Sequence, residues 1–293
     1  MKHQAGYGQG VVSVDEDGDD SDENLSDRVL ALFHSPTYTP PVLPIVAIEL
    51  QALAQRSDVE TKAVVQLLEK DAFLAGHVLA RARSAVYGQG GPINLRDAVI
   101  RIGLRSLRDV VWEAAMNMRV FRAPGYINQM ESVRKHCAAA AQCAAIVAGY
   151  TSYPADYAFL CGLLHDVGIA ITLIAVSEQK TPPPRKRLVE AIEHTHAETA
   201  RLVTRHWGLP DEVQLVVGAH HDIRVGGFIH PLAAIVAVAQ EVARRCGASL
   251  RLGPDGETDI TTPDELLAAR KAIELTDKRL DLIMAEAKKR LAP

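Results

Sequence analysis

From Ser26 to the C-terminus, apolar residues recur at helical spacing in one segment after another, a period that a strand cannot use. Val29, Leu30 and Phe33 share one face, TPPVLP interrupts the chain, and IVAIELQALAQ resumes the pattern. Aromatic residues are only 5% of the chain, while Ala, Leu, Val and Arg dominate, a bias toward helix packing and away from sheet. The fold class this predicts is all-α, with almost no strand.

Punctuation along the chain divides the helices. Ser57 and Asp58 are N-cap candidates for VETKAVVQLLEKD, since their side-chain oxygens can accept amide bonds from the next turn. AFLAGHVLARARSAVY follows, then the reversing turn GQGGPIN, then RDAVIRIG and SLRDVVWEAAMNMRVF as amphipathic helices. Trp112 and Met116 in the last of these read as core. A break at APGY, Ala123 to Tyr126, precedes ESVRKHCAAAAQCAAIVAGY, whose alanines permit close approach of a neighbouring helix. ADYAFLCGLLHDVGIAITLIAVS comes next. PRKRL, Pro184 to Leu188, reads as a solvated loop, and Pro210 suits the first turn of the helix that follows it. The final stretch, PDELLAARKAIELTDKRLDLIMAEAKKRL, reads as one or two surface helices with Glu and Lys spaced for pairing. These signals divide the chain into an acidic tail over 1–25, a helical unit over 26–123, a second over 124–248 and a C-terminal extension over 249–293.

Composition limits function. With 48% hydrophobic residues the chain can bury a sizeable core, and a net charge of −4 provides no overall cationic field for nucleic acid or an anionic membrane. Direct nucleic-acid binding and membrane association are therefore not expected. Cys137, Cys143, Cys161 and Cys246 form no CxxC pair and read as core thiols in a reducing compartment. The first residues lack the apolar stretch of a signal peptide, and no run reaches the ~18 uninterrupted apolar residues of a membrane span, so the expected location is cytoplasmic. VDEDGDDSDEN, Val14 to Asn24, is too acidic and too poor in apolar residues to offset the entropy of ordering. It reads as a solvated extension, or as a docking tail for a basic partner.

The sharpest chemical feature is His165-Asp166 inside CGLLHDVG, an imidazole and a carboxylate set among leucines. Burying such groups is costly unless they are paired or bind a metal. Further histidines fall in other segments: His136, His196, and His220 with His221. Imidazole and carboxylate together suit Fe, Mn, Ni or Zn, and a site of this kind needs ligands converging from several helices. Two readings stand side by side: a held divalent metal, and ordinary architecture. In the second, His136 hydrogen-bonds Asp166, His220 and His221 are solvated residues near a helix end, and no cofactor is needed. His194 and His206 read as surface residues.

In order, His136, His165-Asp166, His196 and His220-His221 resemble the ligands of HD-domain phosphohydrolases and their HD-GYP relatives. The resemblance implies that Asp166 would bridge two metals. That pattern expects a further Asp in the next helix, where this chain places Gln240, and the lysine three positions after the HD pair in HD-GYP proteins is Ile169. No GYP motif follows His221. The first half is similar to the HDOD family, degenerate relatives of the HD hydrolases. Asp71, Leu74, Leu79, Ser84, Tyr87, Gly88, Ile93, Ala98 and Gly103 occupy matching positions, with Ala72 and Arg83 standing where the family has Pro and Asn. This similarity runs from about Pro41 to Arg245. It implies an HDOD-like helical domain with an HD-like second half, acting in bacterial signal transduction through a signalling protein partner or a cyclic dinucleotide, without hydrolysis. The competing expectation is an active metal-dependent phosphohydrolase.

Arg81, Arg83, Arg101, Arg105 and Arg108 concentrate positive charge on two first-half segments. They are candidates to bind a phosphate-bearing nucleotide or an acidic helix, or else they pair with nearby acids.

Overall fold

The computed structural model describes residues 25–54, 56, 58–84, 94–116, 122–153, 157–252 and 262–292. The acidic segment 14–24, the cap candidate Ser57, the turn residues 88–93 and the family-matching Tyr87, Gly88 and Ile93 lie outside them.

Helices account for nearly all regular structure: α1 (Leu25–His34), α2 (Ile45–Ala54), α3 (Thr61–Leu68), α4 (Ala72–Ala82), α5 (Leu95–Ile102), α6 (Leu104–Met116), α7 (Ile127–Gly149), α8 (Ala158–Leu164), α9 (Val167–Ser177), α10 (Arg185–His206), α11 (Asp211–Gly218), α12 (Pro231–Arg245), α13 (Pro263–Ala272) and α14 (Asp277–Arg290). The strand content among the described residues is one hairpin, β1 (Arg224–Val225) against β2 (Phe228–Ile229), in antiparallel register Arg224↔Ile229. Gly226 and Gly227 form its turn with φ of 60° and 85°, conformations that side chains resist.

Capping explains where several helices begin. Asp71 accepts from the amides of Phe73 and Leu74 at 3.0 and 3.1 Å, and Asn94 accepts from Asp97 at 2.8 Å. Thr262 and Glu265 form a reciprocal capping box at the start of α13. Asp58 does not cap α3: the N-cap is Glu60, without a side-chain bond, and Asp58 pairs with Arg56 at 3.3 Å. Pro210 stands at the N-cap of α11, just outside the helix, whereas Pro231 and Pro263 each stand in the first turn of theirs. PRKRL is not a loop, because α10 starts at Arg185.

Helices α2 to α6 pack among themselves, and α7 to α12 form a second group. Helix α1 lies on α10, where the Trp207 indole donates to the Pro41 carbonyl at 2.9 Å. Helix α13 packs on α12 and α14 on α7, burying Ala269, Ile273, Ile283 and Ala287. Arg270 and Asp277 link those last two helices. Trp112, Cys137, Cys143 and Cys161 are core residues as expected, and Cys246 is partly exposed.

Ala158–Ser177 is long and apolar enough to cross a membrane by length and composition, yet 89% of its most apolar window is buried by other helices. This segment, α8 followed by α9, lies at the centre of the second group. Two glycines set the distance to its neighbours. A Cβ on Gly162 would stand 2.9 Å from the Ala140 carbonyl oxygen in α7, and one on Gly168 would stand 2.0 Å from the His196 carbonyl oxygen in α10. Gly76, on the exposed face of α4, has nothing within 4 Å of such a Cβ. Gly76→Ala is therefore expected to stabilise the protein by roughly 0.5–1 kcal/mol, the ordinary helix-propensity gain. A thermal melt checks this, and a lowered midpoint would contradict the open packing of α4.

Candidate metal centre

The close approach of three helices brings the sequence's scattered histidines to one point. His136 comes from α7, His165 and Asp166 from the break between α8 and α9, His196 from α10, and His220 and His221 from the turn after α11. The break arises at Asp166, whose φ and ψ of −100° and 14° depart from helical values and turn its carboxylate among the imidazoles. Gly162 presses α8 onto the helix carrying His136, and Gly168 presses α9 onto the helix carrying His196.

Backbone carbonyls orient the rings. The Nδ1 atoms of His165, His196 and His220 lie 2.8, 2.7 and 2.6 Å from the carbonyls of Gly162, Ile192 and Val217, each within the ring's own local turn. The His136 Nδ1 lies 2.7 Å from the carbonyl of Ala248, far along the chain. A carbonyl only accepts, so each Nδ1 carries the proton and a neutral ring leaves a lone pair on Nε2.

Those Nε2 atoms converge on one carboxylate. His165 and His136 stand 3.2 and 3.8 Å from Asp166 Oδ2, while His220 and His196 stand 3.5 and 3.6 Å from Oδ1. The Nε2 atoms of His165 and His136 are 3.3 Å apart, and those of His221 and His196 are 2.7 Å apart. Neither Asp166 oxygen accepts a hydrogen bond of good geometry, and His220 Nε2 makes none. Neutral imidazoles would thus oppose lone pair to lone pair in a dry interior, an arrangement that requires protons or cations between them. Burial would push the Asp166 carboxyl up, but the charge of His165, with the approach of His220 and His196, outweighs it and holds the group well below the usual carboxylate range.

The donor set fits metal. His136, His165 and Asp166 form one group, and His196, His220 and His221 another, with ligand atoms in each within 4.8 Å of one another. Asp166 faces both. Imidazole-rich sites with one carboxylate favour Zn, Ni or Fe over Mg or Ca, which demand oxygen. His165, Asp166 and His220 are at most 1% exposed, and only His221 opens to solvent.

Several expectations need correction. His136 does not hydrogen-bond Asp166; at 3.8 Å it is out of range, and its Nδ1 is taken by Ala248. His220 is not solvated, because the turn after α11 folds inward. Gln240 is buried on α12, while His194 and His206 are exposed as expected. Arg108 does not belong to a ligand surface: it is buried and pairs with Asp109 at 3.1 Å. Burial pushes the Asp109 carboxyl up to about 6 even with Arg108 acting against it. Arg81, Arg83, Arg101 and Arg105 are exposed, and Arg101 donates to the Ala82 carbonyl at 3.3 Å, joining the ends of α4 and α5.

Gly162 and Gly168 are the functional residues that motif reasoning passes over. A signal for them exists, since glycine inside an apolar helix lowers helix stability and calls for a packing reason.

The HDOD domain family matches residues 40–223. Among solved structures, an HDOD domain protein of unknown function from Geobacter sulfurreducens is 24% identical, with a TM-score of 0.65 over 91% of this chain and 95% of that one. A Shewanella amazonensis protein provisionally named a metal-dependent phosphohydrolase is 21% identical, with a TM-score of 0.65 over 91% and 98%. A Marinobacter aquaeolei protein provisionally named a signal transduction protein is 21% identical, with a TM-score of 0.68 over 92% of this chain and 62% of that one. At these identities the likeness establishes a shared fold. No curated protein matches the chain.

Proposed function

The chain belongs to the HDOD domain family, and we propose from that premise that it is a non-catalytic signal-transduction module whose buried His–Asp cage holds divalent cation as an internal structural element. The observation that carries this reading is the closed, carboxylate-poor cage: one fully buried Asp166 serves both histidine groups, and the sole ligand residue open to solvent is His221.

A divalent cation, when bound, supplies positive charge and Lewis acidity. Here His136, His165 and Asp166 would hold one ion, and His196, His220 and His221 another. The Nδ1–H bonds of His136, His165, His196 and His220 to backbone carbonyls fix those rings with Nε2 toward the cage, so they are set to ligate without rearrangement. Turnover of a phosphoester needs more: room for the substrate beside the ligands and enough anionic charge to balance two cations and an activated water. Ligand burial works against the first. Gln240, standing where HD hydrolases carry a further Asp, works against the second.

Signalling then falls to the helical surface and a protein partner. The exposed Arg81, Arg83 and Arg101 at the joined ends of α4 and α5 would suit an anionic ligand, a cyclic dinucleotide among them.

Metal analysis of chelator-free protein, paired with a phosphodiesterase assay under added Mn, Fe, Ni or Zn, tests the reading. The expected result is bound cation without turnover. Metal-dependent hydrolysis that disappears in Asp166→Ala would overturn it in favour of an active phosphohydrolase, the activity by which the Shewanella relative is named.

A further inference from the structure

Among the oriented rings of the cage, His136 is held differently. His165, His196 and His220 are each fixed by a carbonyl three or four residues back, so forming the local turn already aims the ring. His136 is aimed by Ala248, 112 residues away, immediately before the C-terminal extension. The segment Ala248–Leu252 is itself tied down at several points. The Arg251 amide donates to Ser132 Oγ at 2.9 Å, one turn before His136 on α7. The Arg185 guanidinium at the head of α10 donates to the Leu252 carbonyl at 3.0 Å. Leu250 and Leu252 are buried, 1% and 2% exposed, and pin the segment between these bonds.

We infer that Ala248–Leu252 is a positioning strap for one half of the cage: it sets the His136 ring, so cation affinity at His136, His165 and Asp166 depends on it, while the half formed by His196, His220 and His221 does not. The inference rests on the proposed cation binding. The physical ground is that a ring whose Nδ1–H has no acceptor rotates and loses basicity at Nε2, and outer hydrogen bonds of this kind tune metal affinity by about 10–100-fold. Ser132 and Arg185 are positioning residues in this scheme, acting on His136 only through the strap. By reciprocity, cation bound at His136 must tighten the strap, which leads into α13 and α14. The strap thereby connects the centre of the cage to the C-terminal helices.

The test is zinc titration of the full chain by calorimetry, with Ser132→Ala, Arg185→Met and the double variant compared with wild type, and amide exchange over 248–252 followed with and without zinc. The expected result is two binding events in wild type. In the variants one weakens by about tenfold while the other keeps its affinity, and zinc slows strap exchange in wild type. The untouched event is an internal control for folding, since a loosened fold would weaken both. If wild type binds no zinc, the cation reading fails and the strap role fails with it. If wild type binds zinc but both events move together, or neither moves, or strap exchange ignores zinc, the strap role is overturned and the cation reading stands.

Discussion

Gly168→Ala is expected to lower the melting temperature by about 10 °C and to disable the half of the cage that contains His196. The added Cβ would lie 2.0 Å from the His196 carbonyl oxygen and 2.8 Å from the Ala200 amide nitrogen. Both atoms are backbone, inside a 22-residue helix, so no side-chain rotation can make room. Helices α9 and α10 must separate. Overpacking of this kind costs roughly 1–3 kcal/mol or more, and a backbone obstacle belongs at the upper end. At about 2–4 °C per kcal/mol for a chain of this size, a loss near 3 kcal/mol gives the stated shift. Separation also draws His196 away from Asp166, now 3.6 Å distant. A circular-dichroism melt with a parallel zinc titration reads both effects, and a variant that melts within about 2 °C of wild type with full zinc uptake would refute the packing account.

Asp166→Asn should abolish the stabilisation that divalent cation confers. At a hundredfold excess over Kd, a ligand that binds only the folded state adds about 2.7 kcal/mol, or roughly 5–10 °C here. The neutral amide removes the one carboxylate that, among the described residues, faces both histidine groups, so that shift is expected to vanish. In the metal-free protein the same residue sets acid sensitivity. Its folded-state pKa is depressed, because the nearby imidazole charges outweigh burial. Its contribution is therefore fully present above the ordinary aspartate value of about 3.9, and it is lost as pH falls through the lower folded-state value. Melts of chelated protein across that range should fall more steeply in wild type than in Asp166→Asn. Equal zinc-induced shifts in the two proteins would remove Asp166 from the ligand set.

Motif order is legible in the sequence because ligand identity is written in side chains. Residue type and order single out His136, His165, Asp166, His196, His220 and His221, and the resemblance to HD hydrolases implies a missing carboxylate at Gln240. Orientation is not legible in the same way. That His136 turns to Ala248 rather than to Asp166 depends on a backbone carbonyl, which every residue type carries alike. That His220 is buried and His221 exposed depends on how the turn after α11 folds back, and no periodicity describes a turn. Arg108 misleads for a related reason: in sequence it resembles its neighbours Arg101 and Arg105, and only helix rotation in the packed bundle turns it inward to Asp109.

Local chemistry by itself determined that this chain is helical, where most helices lie, and which residue types are available to hold a cation. Apolar spacing, capping side chains and breakers act within a few residues, so they are complete in the order of residues along the chain. Only the tertiary structure decided that four imidazoles meet one carboxylate, because that meeting depends on interhelix distances of a few ångströms. Those distances are set by Gly162 and Gly168 and by contacts between residues more than a hundred positions apart, as with His136 and Ala248.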